Sequence, residues 1–102
     1  MSSNNDAIAV TFTRATPLFF ALGEPAQRRI ILLLAEVEAL NVGELTALLP
    51  LSRPAISHHL KVLKQAGLLT VVQRGTENRY SLAFEAALVL LKRFVQDVEE
   101  CT

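Results

Sequence analysis

Arg53, Ser57, His58, Lys61 and Lys64 fall within a single short stretch of the sequence. At about 100° per residue, the helical turn, Arg53, Ser57, Lys61 and Lys64 share one side, with His58 at its margin. Ile56, Leu60 and Leu63 take the opposite sector, and His59 lies beside them. A guanidinium, a hydroxyl, an imidazole and two ammonium groups thus stand together without a carboxylate. Such a set suits a polyanion that also offers hydrogen-bonding edges: Arg pairs bidentately with guanine, Ser serves several bases, and Lys meets phosphate. If the helix enters a major groove N-terminus first, Ser52, Arg53, Ala55, Ser57 and His58 are the base-reading candidates, Ala55 through a thymine methyl. Lys61 and Lys64, further along, would follow the backbone. His58 and His59 are adjacent and point about 100° apart, so they cannot chelate one ion together. Ser57 beside His58 fails as a nucleophile pair for the same reason, and no acid accompanies them.

The surrounding charge favours the same chemistry. From Ser52 to Arg79 five basic residues face the single acid Glu77, a net of +4, while the rest of the chain carries −4. A total charge of zero therefore conceals a concentrated basic patch of the kind that binds phosphate. An ordinary solvated helix face is the plainer alternative.

Local signals place the elements that must hold this face. Residues 1–15 lack a clean period and read as a lead-in or a short helix; Pro17 then opens a helix that Gly23 closes. Glu24-Pro25 starts another, with Ile30, Ile31, Leu33, Leu34 and Val37 as its buried face. After a break at Asn41-Val42-Gly43, a short helix runs from Glu44 to Leu49 and stops at Pro50. Ser52 caps the polar-faced helix, about 52–66, and Gly67 ends it. Leu69–Arg74 and Arg79–Leu82 read as strands joined by the turn-like Gly75-Thr-Glu-Asn78, a wing over about 69–82. Gln73, Arg74, Thr76 and Arg79 are expected around its tip, within reach of a neighbouring groove. Phe84, Leu88, Leu91, Val95 and Val98, spaced 4, 3, 4 and 3, mark a last helix over about 84–99 with a coiled-coil seam. This order describes one mainly α (α+β) domain over 1–102, a winged helix-turn-helix with a β-hairpin wing and terminal helices suited to dimerisation.

The residues themselves then become familiar. Leu51-Ser-Arg-Pro-Ala-Ile-Ser-His-His-Leu60-Lys-Val-Leu-Lys-Gln-Ala-Gly67-Leu closely resembles the recognition-helix signature of the ArsR/SmtB family of bacterial repressors. Ala21-Leu-Gly-Glu-Pro-Ala-Gln-Arg-Arg-Ile30 is similar to the start of that family's second helix. The resemblance runs from about Leu18 to Leu82. It implies a homodimer, paired through first and last helices and bound to an inverted-repeat operator on double-stranded DNA. The interface would then be the seam Phe84, Leu88, Leu91, Val95 and Val98; capping of the chain's own core is the alternative use of those residues. One departure matters. Metal-sensing members carry Leu-Cys-Val-Cys where this chain has Leu40-Asn41-Val42-Gly43, and the last helix holds Glu85, Asp97, Glu99 and Glu100 but no histidine. Zinc-like metals want Cys or His, so no metal and no cofactor are expected.

Composition bounds the remaining choices. A chain of 102 residues is one domain, and 51% apolar content is high for that size, so part of it is expected to face a second subunit. No unbroken apolar run exceeds six residues, as in Ile30–Ala35, against roughly 20 for a bilayer span. The polar start, Met1 to Asp6, is unlike a signal peptide, and one cysteine suits a reducing cytoplasm. Cys101 reads as an inert terminal thiol, with an intersubunit disulfide as the alternative. No carboxylate pair, phosphate loop or triad marks an enzyme. The sequence therefore points to a DNA-binding transcriptional regulator, a repressor by resemblance. A winged-helix protein-interaction module without DNA binding is the competing class, and these residues select no inducer.

Overall fold

The computed structural model describes residues 3–102, with side chains from residue 6 onward; Met1 and Ser2, where the polar start begins, lie outside the described residues. In chain order it comprises α1 (Ser3–Gly23), α2 (Pro25–Glu36), α3 (Val42–Leu48), α4 (Arg53–Gln65), β1 (Leu69–Arg74), β2 (Glu77–Leu82) and α5 (Glu85–Cys101). Leu18, Ile30, Leu45, Ile56, Leu60, Leu63 and Leu68 are fully buried, so every helix from α1 to α4 sends at least one large side chain into a common core.

The first helix corrects the sequence reading. Instead of a lead-in or short helix followed by a separate helix opening at Pro17, α1 is continuous over 21 residues with Pro17 inside it. Proline removes the N–H that would bond the Thr13 carbonyl, a loss of about 3 kcal/mol in an isolated helix. Packing offsets it: Thr11, Ala15, Leu18 and Ala21 are buried on one face, spaced 4, 3 and 3. The partner that buries much of this face is α5, nearly 80 residues away in sequence, so local signals cannot report it.

The C-terminal end of α1 is closed by its neighbour. Pro25, four residues after Ala21, has no N–H for the Ala21 carbonyl, and the Gln27 amide Nε2 donates to it instead at 2.8 Å. Arg28 Nη1 donates to the Leu22 carbonyl at 2.9 Å. At the other end of the chain, α5 reaches Cys101 rather than ending at residue 99. Buried Asp97 on α5 accepts from the Thr11 hydroxyl of α1 and from Arg93 Nε at 3.3 Å.

Two further boundaries move. Asn41, read as part of a break, caps α3: it accepts from the Glu44 N–H at 2.7 Å while Glu44 Oε1 accepts from the Asn41 N–H at 3.0 Å. This reciprocal capping box draws Val42 and Gly43 into the helix. The second strand begins at Glu77, not Arg79, because the hairpin turns in two residues, Gly75 and Thr76. Gly75 supplies the left-handed φ of +64° that so tight a turn requires.

Candidate nucleic-acid interface

Helix α4 is built to stay rigid and present one side. Ser52 Oγ accepts from the Ala55 N–H at 3.3 Å, and Pro54 sits in the first turn where its missing N–H is not needed. At the far end Gly67, with φ +78°, donates to the Lys64 carbonyl at 3.0 Å, and Leu68 donates to Leu63 at 3.0 Å. That pair of bonds is a Schellman motif, and Leu63 and Leu68 are both buried beside it. With Ile56, Leu60 and Leu63 buried, Ser52, Arg53, Ser57, His58, Lys61 and Lys64 are all exposed. Ala55 is half-buried at the edge of the face. No acid interrupts the row.

His59 turns the other way. Its Nδ1 lies 2.8 Å from Gln27 Oε1, on α2. His58 is left on the exposed side, and the two imidazole centroids are 5.8 Å apart.

The wing stands beside the start of α4. Its strands pair antiparallel, Val72 opposite Arg79 and Arg74 opposite Glu77. Arg53 and Thr76 line the same cleft, about 330 Å³, together with Gly43 of α3 and Asn78. Glu77 is the acid in that cleft, and Asn41 Nδ2 and Arg79 both engage it. Gln73 and Arg74 are exposed near the turn, Gln73 Nε2 donating to the Gly75 carbonyl at 3.2 Å. Arg74 lines a second groove, about 450 Å³, between the wing and Glu38-Ala39 of the connector after α2.

Arg79 is not at the tip. The register sets it mid-strand, and its guanidinium donates to the Ala39 carbonyl at 3.1 Å while meeting Glu77 at 3.4 Å and Glu44 at 3.5 Å. Beside it, Leu40 and Tyr80 exchange backbone bonds, Leu40 N–H to Tyr80 at 3.0 Å and the reverse at 2.9 Å. The segment between α2 and α3 is thereby tied to the outer edge of β2 by a one-residue antiparallel bridge. Sequence spacing placed Arg79 by chain distance from the turn, whereas the pairing of β2 with Leu40 decides what it touches.

The seam on α5 divides. Phe84 and Leu91 pack against the chain's own core and Val98 is half-buried, whereas Leu88 and Val95 are about half exposed, at 50% and 54%. Between α5 and α1 the sequence reading missed an aromatic group. Phe94 on α5 meets Phe12 and Phe19 on α1 edge to face, with centroids 4.8 and 5.3 Å apart. Phe20 on α1 is 72% exposed. The seven-residue spacing of Phe12 and Phe19 was the available signal, hidden because α1 was not recognised as one helix.

Among the described residues no three His, Cys, Asp or Glu side chains gather as a metal-ligating group, and no helix is long and apolar enough to cross a membrane. Asn41, at a position where the resemblance would put a thiolate, is occupied as the cap of α3.

Comparison with known proteins converges on one group. Residues 24–71 match the family model described as bacterial regulatory protein, arsR family. The uncharacterized HTH-type transcriptional regulator MJ1325 of Methanocaldococcus jannaschii is 33% identical over 81 residues, 79% of this chain and 91% of that protein. The HTH-type transcriptional regulator Rv2034 of Mycobacterium tuberculosis is 48% identical over 62 residues, 61% of this chain and 57% of that one. Among solved structures, an ArsR-like transcriptional regulator from Rhodococcus sp. RHA1 superposes with a TM-score of 0.78 at 28% identity, covering 90% of this chain and 83% of its own.

Proposed function

The chain belongs to the ArsR family of DNA-binding transcriptional regulators, and we propose that it acts in the cytoplasm as a homodimeric repressor on an inverted-repeat operator. The observation that carries this reading is the acid-free exposed side of α4, set across one cleft from the wing tip. Ser52, Arg53, Ala55, Ser57 and His58 read bases in the major groove, and Lys61 and Lys64 meet phosphates. Gln73, Arg74 and Thr76 carry the wing to the adjoining backbone. Arg79 serves this surface indirectly: its ion pairs with Glu44 and Glu77 brace the wing against α3.

Dimerisation follows from the apolar face shared by α1 and α5. Phe12, Phe19, Phe20, Leu88 and Val95 are exposed there, and a patch of that kind on a small domain favours a second subunit over water. Two-fold pairing gives two copies of α4 with opposite polarity, so the operator is an inverted repeat whose half-site spacing copies the dimer.

Titration with duplexes selected by the protein from a random library, repeated across salt concentrations, tests the reading. Affinity should fall steeply as salt rises because bound phosphates release counterions. Binding indifferent to both salt and Arg53→Ala removes α4 as the DNA surface.

A further inference from the structure

We propose that Gln27 is a positioning residue for DNA reading, a buried amide that ties the end of α1 to His59 on the recognition helix α4. The inference rests on α4 being the DNA-reading helix.

Gln27 is 3% exposed, and both ends of its amide are used. Nε2 donates to the Ala21 carbonyl at 2.8 Å, and Oε1 lies 2.8 Å from His59 Nδ1. A carbonyl oxygen can only accept, so the amide nitrogen must face Ala21 and the amide oxygen must face His59. That oxygen also only accepts. His59 is therefore held with its proton on Nδ1, the tautomer dictated by a chain of bonds that begins at the C-terminal end of α1.

The linkage has a mechanical meaning. In the proposed dimer α1 carries the subunit contact, whereas α4 carries the bases' partners. The separation and tilt of the two α4 helices must match half-sites about one helical turn apart, so whatever fixes α4 relative to α1 fixes operator spacing. Apolar packing of Ile56, Leu60 and Leu63 is non-directional, but the Ala21–Gln27–His59 chain is directional and joins all three helices.

Three measurements test this together. First, ¹⁵N–¹H correlation spectra of the histidine-labelled wild-type protein should show His59 protonated on Nδ1; protonation on Nε2 overturns the proposal. Second, Gln27→Leu should lose about tenfold in affinity for a selected duplex, the order expected for a broken buried hydrogen bond, with non-specific binding unchanged. The same variant should discriminate less between that duplex and one with a base pair inserted between half-sites. Unchanged affinity and unchanged spacing preference overturn the proposal. Third, His59→Asn places an amide N–H where Nδ1 stood and should keep the spacing preference, whereas His59→Gln should lose it. This pair stays decisive if Gln27→Leu folds poorly, and equal behaviour of the two variants overturns the idea. Arg53→Ala, run in parallel, separates the causes of failure. If Arg53→Ala weakens binding and Gln27→Leu does not, the linkage alone is wrong; if neither matters, α4 is not the reading helix and the linkage falls with it.

Discussion

Arg53 and Lys61 share a face yet should fail differently when removed. Arg53 stands in the first turn, beside the wing cleft, where a guanidinium can pair with a base edge. Arg53→Ala should cost about 1–3 kcal/mol and relax preference at one operator position, as read from a panel of single-base variants of the duplex. Lys61→Ala should weaken binding to all sequences alike and lower the slope of log K against log salt by about 1, the signature of a lost phosphate contact. Arg79 separates structure from contact. Its partners Glu44, Glu77 and the Ala39 carbonyl all belong to the protein, and its side chain is 30% exposed. Arg79→Met keeps the packing stem and should lower stability by about 1 kcal/mol in thermal unfolding, leaving the salt slope of DNA binding unchanged. A reduced slope would return Arg79 to the DNA surface.

Among the elements, α3 depends most on one residue. Seven residues make a helix too short to persist alone, and Asn41 both caps it and contacts Glu77 on the wing. Asn41→Ala should therefore destabilise the fold by about 1–2 kcal/mol in denaturant titration, at the upper end for a cap. A change within error would mean that Leu45 burial alone suffices. These contrasts also explain what could be read from the chain. Helix α4 was legible because its cap, its stop and both of its faces are written within 16 residues, Ser52 to Gly67. Helix α1 was legible only from Pro17 to Gly23; its continuity through Pro17 is supported by packing against α5 at the opposite end of the sequence. The placement of Arg79 and the split of the α5 seam were lost for a related reason. Periodicity says that a residue is apolar or sits on a strand, but not which distant surface reaches it first.

The molecule as a whole measures 52 × 24 × 21 Å, long for its size, and the long packed pair α1 and α5 leaves aromatic surface open. Phe20→Asp and Leu88→Asp change exposed positions, so each should leave the subunit folded by circular dichroism while shifting sedimentation to monomer. Operator affinity should fall by 100-fold or more (~3 kcal/mol), because a single head keeps only one half-site. A monomeric wild-type protein that still binds with full affinity would refute two-fold pairing. The Leu40–Tyr80 exchange of backbone bonds bears on how such a complex could be switched off. Because the connector before α3 is bonded to the hairpin, any displacement of the wing must either break those two backbone bonds or carry the connector with it.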